Sequence, residues 1–211
     1  LPLLPLRGLT IFPYMVLHFD VGRAKSIAAL EAAMVNDQEI FLVSQKDSKI
    51  EEPELDEIYE VGTIAKIKQM LKLPGDTIRV LVEGLERGKI LEYIAKDPYF
   101  EVDLMTPVEY NDKEIELQLE AAARSVLSVF EKYVKLSNKI SPEILLTVTS
   151  LDDYERLADI IATNTLVKTE DKQSILETFD PIARLENLYE ILVRESEILE
   201  IENKINLRVK T

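Results

Sequence analysis

His18 is the one histidine in this chain, and no cysteine accompanies it. A His-Glu-x-x-His zinc site needs two imidazoles, and a thiolate site or a cysteine nucleophile needs sulfur; both are excluded. A Ser-His-Asp triad would have to use His18, yet no Gly-x-Ser-x-Gly turn is present to expose a serine. No Ser-x-x-Lys spacing occurs either. His18 lies in the apolar run Met15–Asp20 and reads as a core or strand-face residue rather than a catalytic base. Phosphate-cradling loops end a glycine-rich turn in Lys-Ser or Lys-Thr. The nearest approach, Gly84-Leu85-Glu86-Arg87-Gly88-Lys89-Ile90, is one residue short and ends in Ile, so it reads as a turn at a strand end. The acidic groups at Glu51–Glu57 and Asp152-Asp153 lack the alternating ladder with a central glycine that calcium loops use. They read as a solvated loop and a helix start. No catalytic, cofactor-binding or metal-binding residue is assigned.

The elements that would have to position any site fall into two groups. All six glycines lie at or before Gly88, and glycine supplies the positive-φ positions of turns. Residues 1–110 are therefore expected to be β-rich, with Met15–Asp20, Ile40–Ser44, Val61–Leu73, Thr77–Glu83, Lys89–Ile94 and Tyr99–Leu104 as strands. Leu73-Pro74-Gly75-Asp76 has Pro and Gly where a type II turn requires them. Gly84 and Gly88 are read as a second bend. One helix is expected at Ala24–Val35, and Lys46–Glu57 is a charged loop. Residues 111–211 are expected to be helical. Asn111 or Asp112 caps a helix over Glu114–Leu136, and Ser141-Pro142-Glu143 starts a second. Ser150–Asp153 opens a third, Thr169 a fourth, and Asp180-Pro181 a long last helix from about 181 to Arg208. The expected class is α+β: a β-rich pseudobarrel with one helix, then a helical bundle ending in a long helix. The helical pattern has no stop signal at Thr211 and the chain starts at Leu1, so a piece of a longer protein is expected.

Composition narrows the function classes. Lys plus Arg is 25 against 39 Asp plus Glu, a net charge of −14. Residues 1–110 hold 12 basic and 19 acidic groups and residues 111–211 hold 13 and 20, so no basic arm hides in the average. Nucleic-acid binding needs a basic patch, and none is expected here. The apolar start is broken by Pro2, Pro5 and Pro13 and lacks a basic leader or cleavage site. No membrane segment is expected, and a cytoplasmic location fits.

Two apolar stretches are candidates for contact with another polypeptide. In the loop Leu9–Tyr14 two readings compete: the side chains fill the β-domain core, or Leu9, Ile11, Phe12 and Pro13 form an exposed interaction patch. The turn carrying Leu71, Leu73 and Pro74 is the second candidate. In the last helix, Ile191, Ile198 and Ile205 recur every seven residues. Leu192, Ile198, Leu199 and Ile205 are accordingly candidates for self-association.

Several blocks resemble one family. Leu3-Leu4-Pro5-Leu6-Arg7-Gly8, Phe12-Pro13 and Val21-Gly22-Arg23 are similar to the opening of the amino-terminal domain of bacterial Lon proteases. Gly62-Thr63-Ile64-Ala65-Lys66-Ile67 and Val80-Leu81-Val82-Glu83-Gly84-Leu85-Glu86-Arg87 resemble its central block. Leu157-Ala158-Asp159 and Asp171-Lys172-Gln173 fit its helical part. The resemblance covers the whole chain. It implies a pseudobarrel shaped like PUA domains, a helical bundle and a long helix leading to an ATPase module and a Ser–Lys protease domain.

The resemblance also implies a cytosolic, ATP-dependent serine protease, usually hexameric, that degrades damaged proteins and selected regulators. Its amino-terminal region recognises unfolded or damaged substrates and supports assembly. ATP and magnesium belong to the full-length protein, because the chain ends before those modules. No ATPase or peptidase activity is expected of these 211 residues. The alternative is a mainly structural role in self-association, with a dimer of the isolated piece as its sign. An RNA-binding module, prompted by the PUA-like shape, is opposed by the acidic charge.

Overall fold

The glycine-bearing half folds as strands. A computed structural model describes residues 1–109 and 112–210. It separates into two units, Leu1–Val108 and Glu109–Thr211. The first contains β1 (Pro2–Leu6), β2 (Val16–Val21), α1 (Ala24–Val35), β3 (Glu39–Ser44), β4 (Val61–Leu73), β5 (Thr77–Ala95) and β6 (Phe100–Met105). β1 runs parallel to β3, and β3 runs antiparallel to β4. β5 pairs with β4 through Lys89 and then with β6 from Lys89 onward. β6 closes back on β1 through Pro2 and Leu3. Five strands thus make a closed ring, and β2 attaches outside it to the early part of β5.

Two features of this sheet differ from the sequence reading. β1 is not among the strands expected from sequence, and it forms although Pro2 and Pro5 lack the amide a ladder uses. Pro2 is the first residue of the strand, where the missing donor is tolerated. The Leu6 carbonyl accepts from the Gln45 amide at 2.8 Å, on the β3 side. By alternation Pro5 faces away from β3, and its carbonyl accepts from the Arg23 guanidinium at 2.6 Å. The expected bend between Gly84 and Gly88 is also absent: β5 is one strand of 19 residues. Both glycines are needed for close packing instead. A β-carbon on Gly84 would overlap the Phe12 carbonyl, and one on Gly88 would press on Phe41. The Leu73–Asp76 turn does carry positive φ, at +83° for Gly75 and also +60° for Asp76.

The sheet is buried on both faces, so consecutive residues feed different clusters. Leu4, Leu6, Ile40, Leu42, Ile67, Val80 and Val82 pack with Ala29, Leu30 and Ala33 of α1. Leu3, Phe41, Val43, Ile64, Phe100 and Val102 form the other cluster. Each fully buried large apolar side chain contributes roughly 1.5–3 kcal/mol.

The second unit is helical: α2 (Lys113–Leu136), α3 (Pro142–Thr149), α4 (Leu157–Thr165), α5 (Thr169–Glu177) and α6 (Pro181–Lys210). The Asp112 side chain accepts from the Glu114 amide at 3.0 Å and caps α2; Asn111, the alternative cap, lies outside the described residues. Ser141 precedes the N1 proline of α3 but its side chain makes no capping bond. The helix expected to open at Ser150–Asp153 begins only at Leu157, because Asp153 instead accepts from the Glu155 amide in a local turn. Leu119, Ala123, Val126 and Phe130 of α2 are buried, as are Leu185, Leu188, Ile191 and Leu192 of α6, and these two helices pack on each other. Arg184 is buried among backbone carbonyls. It donates to the Thr178 carbonyl at 2.8 Å and the Phe179 carbonyl at 2.9 Å, just beyond the end of α5, and to the Glu155 carbonyl, before α4, at 3.3 Å.

Candidate functional site

The early part of β5, flanked by β2 and the late part of β4, makes a three-stranded layer. Its register sets Leu71 beside Arg79 and Arg79 beside Asp20, while Met70, Val80 and Phe19 share the opposite face. The inner face packs into the core; the outer face is solvated, as the alternating exposure along β2 requires. Arg79 donates from Nε to Asp20 Oδ1 at 2.8 Å and from Nη2 to Oδ2 at 3.3 Å. That hydrogen bonding holds the Asp20 carboxyl below its ordinary range, and the same carboxylate raises the Arg79 guanidinium. Lys68 pairs with Glu83 at 3.0 Å. Two ion pairs thus match charges on this face, and beside them the apolar Leu71, 59% exposed, and Val16, 63% exposed, project together with the His18 imidazole. Leu73 is half-buried and Pro74 exposed at the hairpin tip.

The structure decides between the two readings of the Leu9–Tyr14 loop. Ile11 and Phe12 are each 1% exposed, Pro13 is buried and Leu9 is half-buried against the core. Ile11, Phe12 and Pro13 are thus corrected from contact residues to core residues. Irregular backbone can be buried only where its polar groups find partners. Here Ser44 Oγ donates to the Leu9 carbonyl at 2.8 Å and Thr63 Oγ1 to the Ile11 carbonyl at 2.6 Å. Tyr14 is the exposed member of this loop, with φ at +70° and its amide donating to the Gly84 carbonyl at 2.8 Å. Tyr14 and Val16 were missed from sequence. The signal for Val16 was there: it shares strand parity with His18 and Asp20, which places all three on the outer face.

The seven-residue stripe of the last helix divides in two. Leu192 is fully buried and Ile191 nearly so, and Leu192 is corrected from an association residue to a core residue. Ile198 and Ile205 are exposed and Leu199 is half-buried. Ile198 is exposed although α2 still lies alongside: Lys132 pairs with Glu200 at 3.2 Å, and the carbonyl of Leu136, the last residue of α2, accepts from Asn203 at 3.4 Å. Past Asn203 α6 continues to Lys210 beyond the end of α2, and its residues from Ile201 on are all exposed.

The remaining sequence candidates fall into structural roles. Gly84–Ile90 lies within β5 and forms no loop around an anion. His18 stands exposed on β2. Arg23 is held at Pro5, Gln45 and the Glu51 carbonyl, and burial pushes its guanidinium below its ordinary value. Gln45 in turn donates to the Asp47 and Ile50 carbonyls at 3.2 and 2.8 Å, so the charged loop after β3 is pinned to the ring. Among the described residues, no three His, Asp or Glu side chains converge to hold a metal. No described helix is long and apolar enough to cross a membrane.

Comparison with known proteins places this architecture. The family model described as "ATP-dependent protease La (LON) substrate-binding domain" matches residues 1–194. The Lon protease of Brevibacillus choshinensis is 55% identical over 210 residues, covering 100% of this chain and 27% of that protein. The Lon protease of Desulforamulus reducens is 53% identical over 210 residues, covering 100% of this chain and 26% of that protein. The chain thus spans about a quarter of the length of the curated relatives it matches. Among solved structures, the N-terminal domain of Mycobacterium avium complex Lon protease has a TM-score of 0.64 at 23% identity, covering 93% of this chain and 97% of that one. The Lon N-terminal domain protein from Xanthomonas campestris has a TM-score of 0.59 at 15% identity, covering 89% and 95%. These two share the fold. The chain belongs to the LON substrate-binding domain family.

Proposed function

We propose that this chain is the substrate-recognition region of a cytoplasmic, ATP-dependent Lon protease and that it binds unfolded or damaged polypeptide through the outer face of the β2–β5–β4 layer. The observation that carries this reading is the exposure of Leu71 and Val16 as apolar groups on one face, beside the ion pairs Lys68–Glu83 and Arg79–Asp20. Leu73, Pro74 and Tyr14 extend it along the hairpin and the preceding loop. Leu9, half-buried, contributes at most its edge. A patch of this kind binds weakly by itself. In an oligomer several copies act on one substrate, and effective concentration raises the overall affinity.

The chemistry is assigned to the part of the protein beyond these residues. The 211-residue chain is proposed to have no ATPase or peptidase activity of its own, and ATP with magnesium to act in the remainder. ATP hydrolysis by the purified chain would overturn that assignment. Recognition itself is tested by titrating an unfolded, fluorescently labelled casein into the wild-type chain and Leu71→Ser. Weaker binding by the variant at unchanged melting temperature supports the reading, and equal binding removes Leu71 from the surface.

A second role, self-association, is favoured by one observation: α6 carries Ile198, Ile201 and Ile205 exposed and runs on past the end of α2. We propose that Ile198, Leu199 and Ile205 contribute to assembly of the whole protein. Sedimentation across a dilution series, for wild type and Ile198→Glu/Ile205→Glu, tests it; a monomer throughout would overturn it for this chain.

A further inference from the structure

The closed ring hides most strand edges, but among the described residues two remain open in the outer layer. Beyond Ile67, no described strand neighbours the side of β4 facing away from β5, and β2 has a described strand, β5, on one side only. The two edges differ in how they are protected. The β4 edge carries Lys68 and Lys72 and a register shift between Ile67 and Gln69, which are devices that discourage pairing. β2 has six residues, Val-Leu-His-Phe-Asp-Val, without lysine, proline or a bulge. Its single charge, Asp20, is matched by Arg79.

Which backbone groups face outward follows from two independent bonds. The Gly84 amide donates to the Met15 carbonyl at 2.8 Å, so by antiparallel alternation Leu17, Phe19 and Val21 turn their N–H and C=O groups toward β5. From the other side, the Ile67 amide donates to the Gln38 carbonyl at 2.8 Å, so Ile67 faces away from β5 and Val82 opposite it faces β2. Both place the N–H and C=O groups of Val16, His18 and Asp20 on the open edge.

We propose that this open edge of β2 takes an extended, non-acidic segment of unfolded polypeptide as an added strand, hydrogen-bonded to the backbone of Val16, His18 and Asp20. The proposal rests on the substrate-recognition reading and specifies how the substrate is held. An unfolded segment brings unpaired backbone amides and carbonyls that a folded partner has already satisfied, and strand addition pairs them whatever its sequence. Its alternate side chains would fall beside Leu17 and Phe19, which are half-buried at the rim of the core, so apolar residues at every second position are preferred. The charge of −14 per chain disfavours a second copy as the occupant, and the excess of acidic groups in residues 1–110 disfavours acidic segments.

The test uses an alternating Val-Thr octapeptide with a terminal lysine and two N-methylated versions, each blocking one alternate set of amides. One methylated version is expected to bind about tenfold or more weakly than the parent, and the other to bind as the parent does. Amide exchange by NMR on the 211-residue chain gives the location: the parent peptide slows Val16, His18 and Asp20 and leaves Leu71 and Leu73 unchanged. His18→Pro removes an outward amide without touching the β5 ladder and is expected to weaken the parent peptide equally. If that variant fails to fold, the exchange pattern and the methylated pair still decide. Equal binding of all three peptides, or protection confined to Leu71 and Leu73, overturns strand addition while leaving substrate recognition standing. Absence of binding by both the octapeptide and unfolded casein overturns both. Protection of the edge in a dimer without peptide makes a second copy the occupant and overturns the proposal.

Discussion

The carbonyl oxygen of Phe12 lies so close to where a β-carbon on Gly84 would stand that the two would overlap. The contact joins the loop before β2 to the middle of β5, and the same Gly84 exchanges backbone bonds with Tyr14 and Met15. Gly84→Ala therefore has to push two hydrogen-bonded backbones apart. It is expected to cost about 2–4 kcal/mol, at the upper end of overpacking effects. Gly8 has positive φ but open space around it, so Gly8→Ala is expected to cost only about 1 kcal/mol. Urea unfolding of both variants checks the order; equal losses would mean that conformation rather than contact fixes Gly84.

Phe12 and Leu71 were both candidates in sequence and are opposites in structure. Phe12→Ala empties a buried site and is expected to cost about 3–5 kcal/mol in stability. Leu71→Ser is expected to stay within about 0.5 kcal/mol of wild type, as exposed substitutions do. Binding of unfolded casein is expected to fall for Leu71→Ser. A stable Phe12→Ala protein with reduced binding would reverse the assignment.

These two residues also show what was legible. Helices announced themselves through Pro181, Asp112 and their apolar periodicity, and β4 through the Pro74-Gly75 turn. Glycine misled at Gly84 and Gly88, because its two uses, turning the chain and admitting a neighbour, look the same in one dimension. β1 went unnamed in sequence; its Pro5 is accommodated because the missing amide lies on the side of the strand that meets a guanidinium. The loop from Leu9 to Pro13 was ambiguous because its burial depends on hydroxyls from Ser44 and Thr63, distant in sequence. The open edge of β2 depends on which strand ends up outside the ring, a property of topology that no local pattern encodes.

Arg23 holds the charged loop through Gln45 and the Glu51 carbonyl. Arg23→Met keeps the stem but leaves these acceptors unpaired, and is expected to cost about 1–3 kcal/mol. Limited trypsin digestion checks it: cleavage at Lys46 and Lys49 should accelerate before the rest of the chain is attacked. Unchanged protection there would mean that Arg7, which donates to the Ser48 carbonyl at 2.8 Å, suffices alone.

The Asp20–Arg79 pair gives a pH dependence of definite sign. The folded carboxyl titrates below its ordinary value of 3.8, first because Arg79 hydrogen-bonds the ionised form. The stabilisation is therefore present above that ordinary value and is lost as pH falls through the lower folded value. Both groups are open to water, so the effect on stability is small and screened by salt. Carboxyl-carbon NMR should show Asp20 titrating later than aspartate in an unstructured peptide as acid is added, and Arg79→Gln should remove that lag. In Asp20→Asn the acid limb of the stability curve should flatten slightly while the neutral plateau stays in place. A lag that survives Arg79→Gln would trace the shift to some group other than the guanidinium.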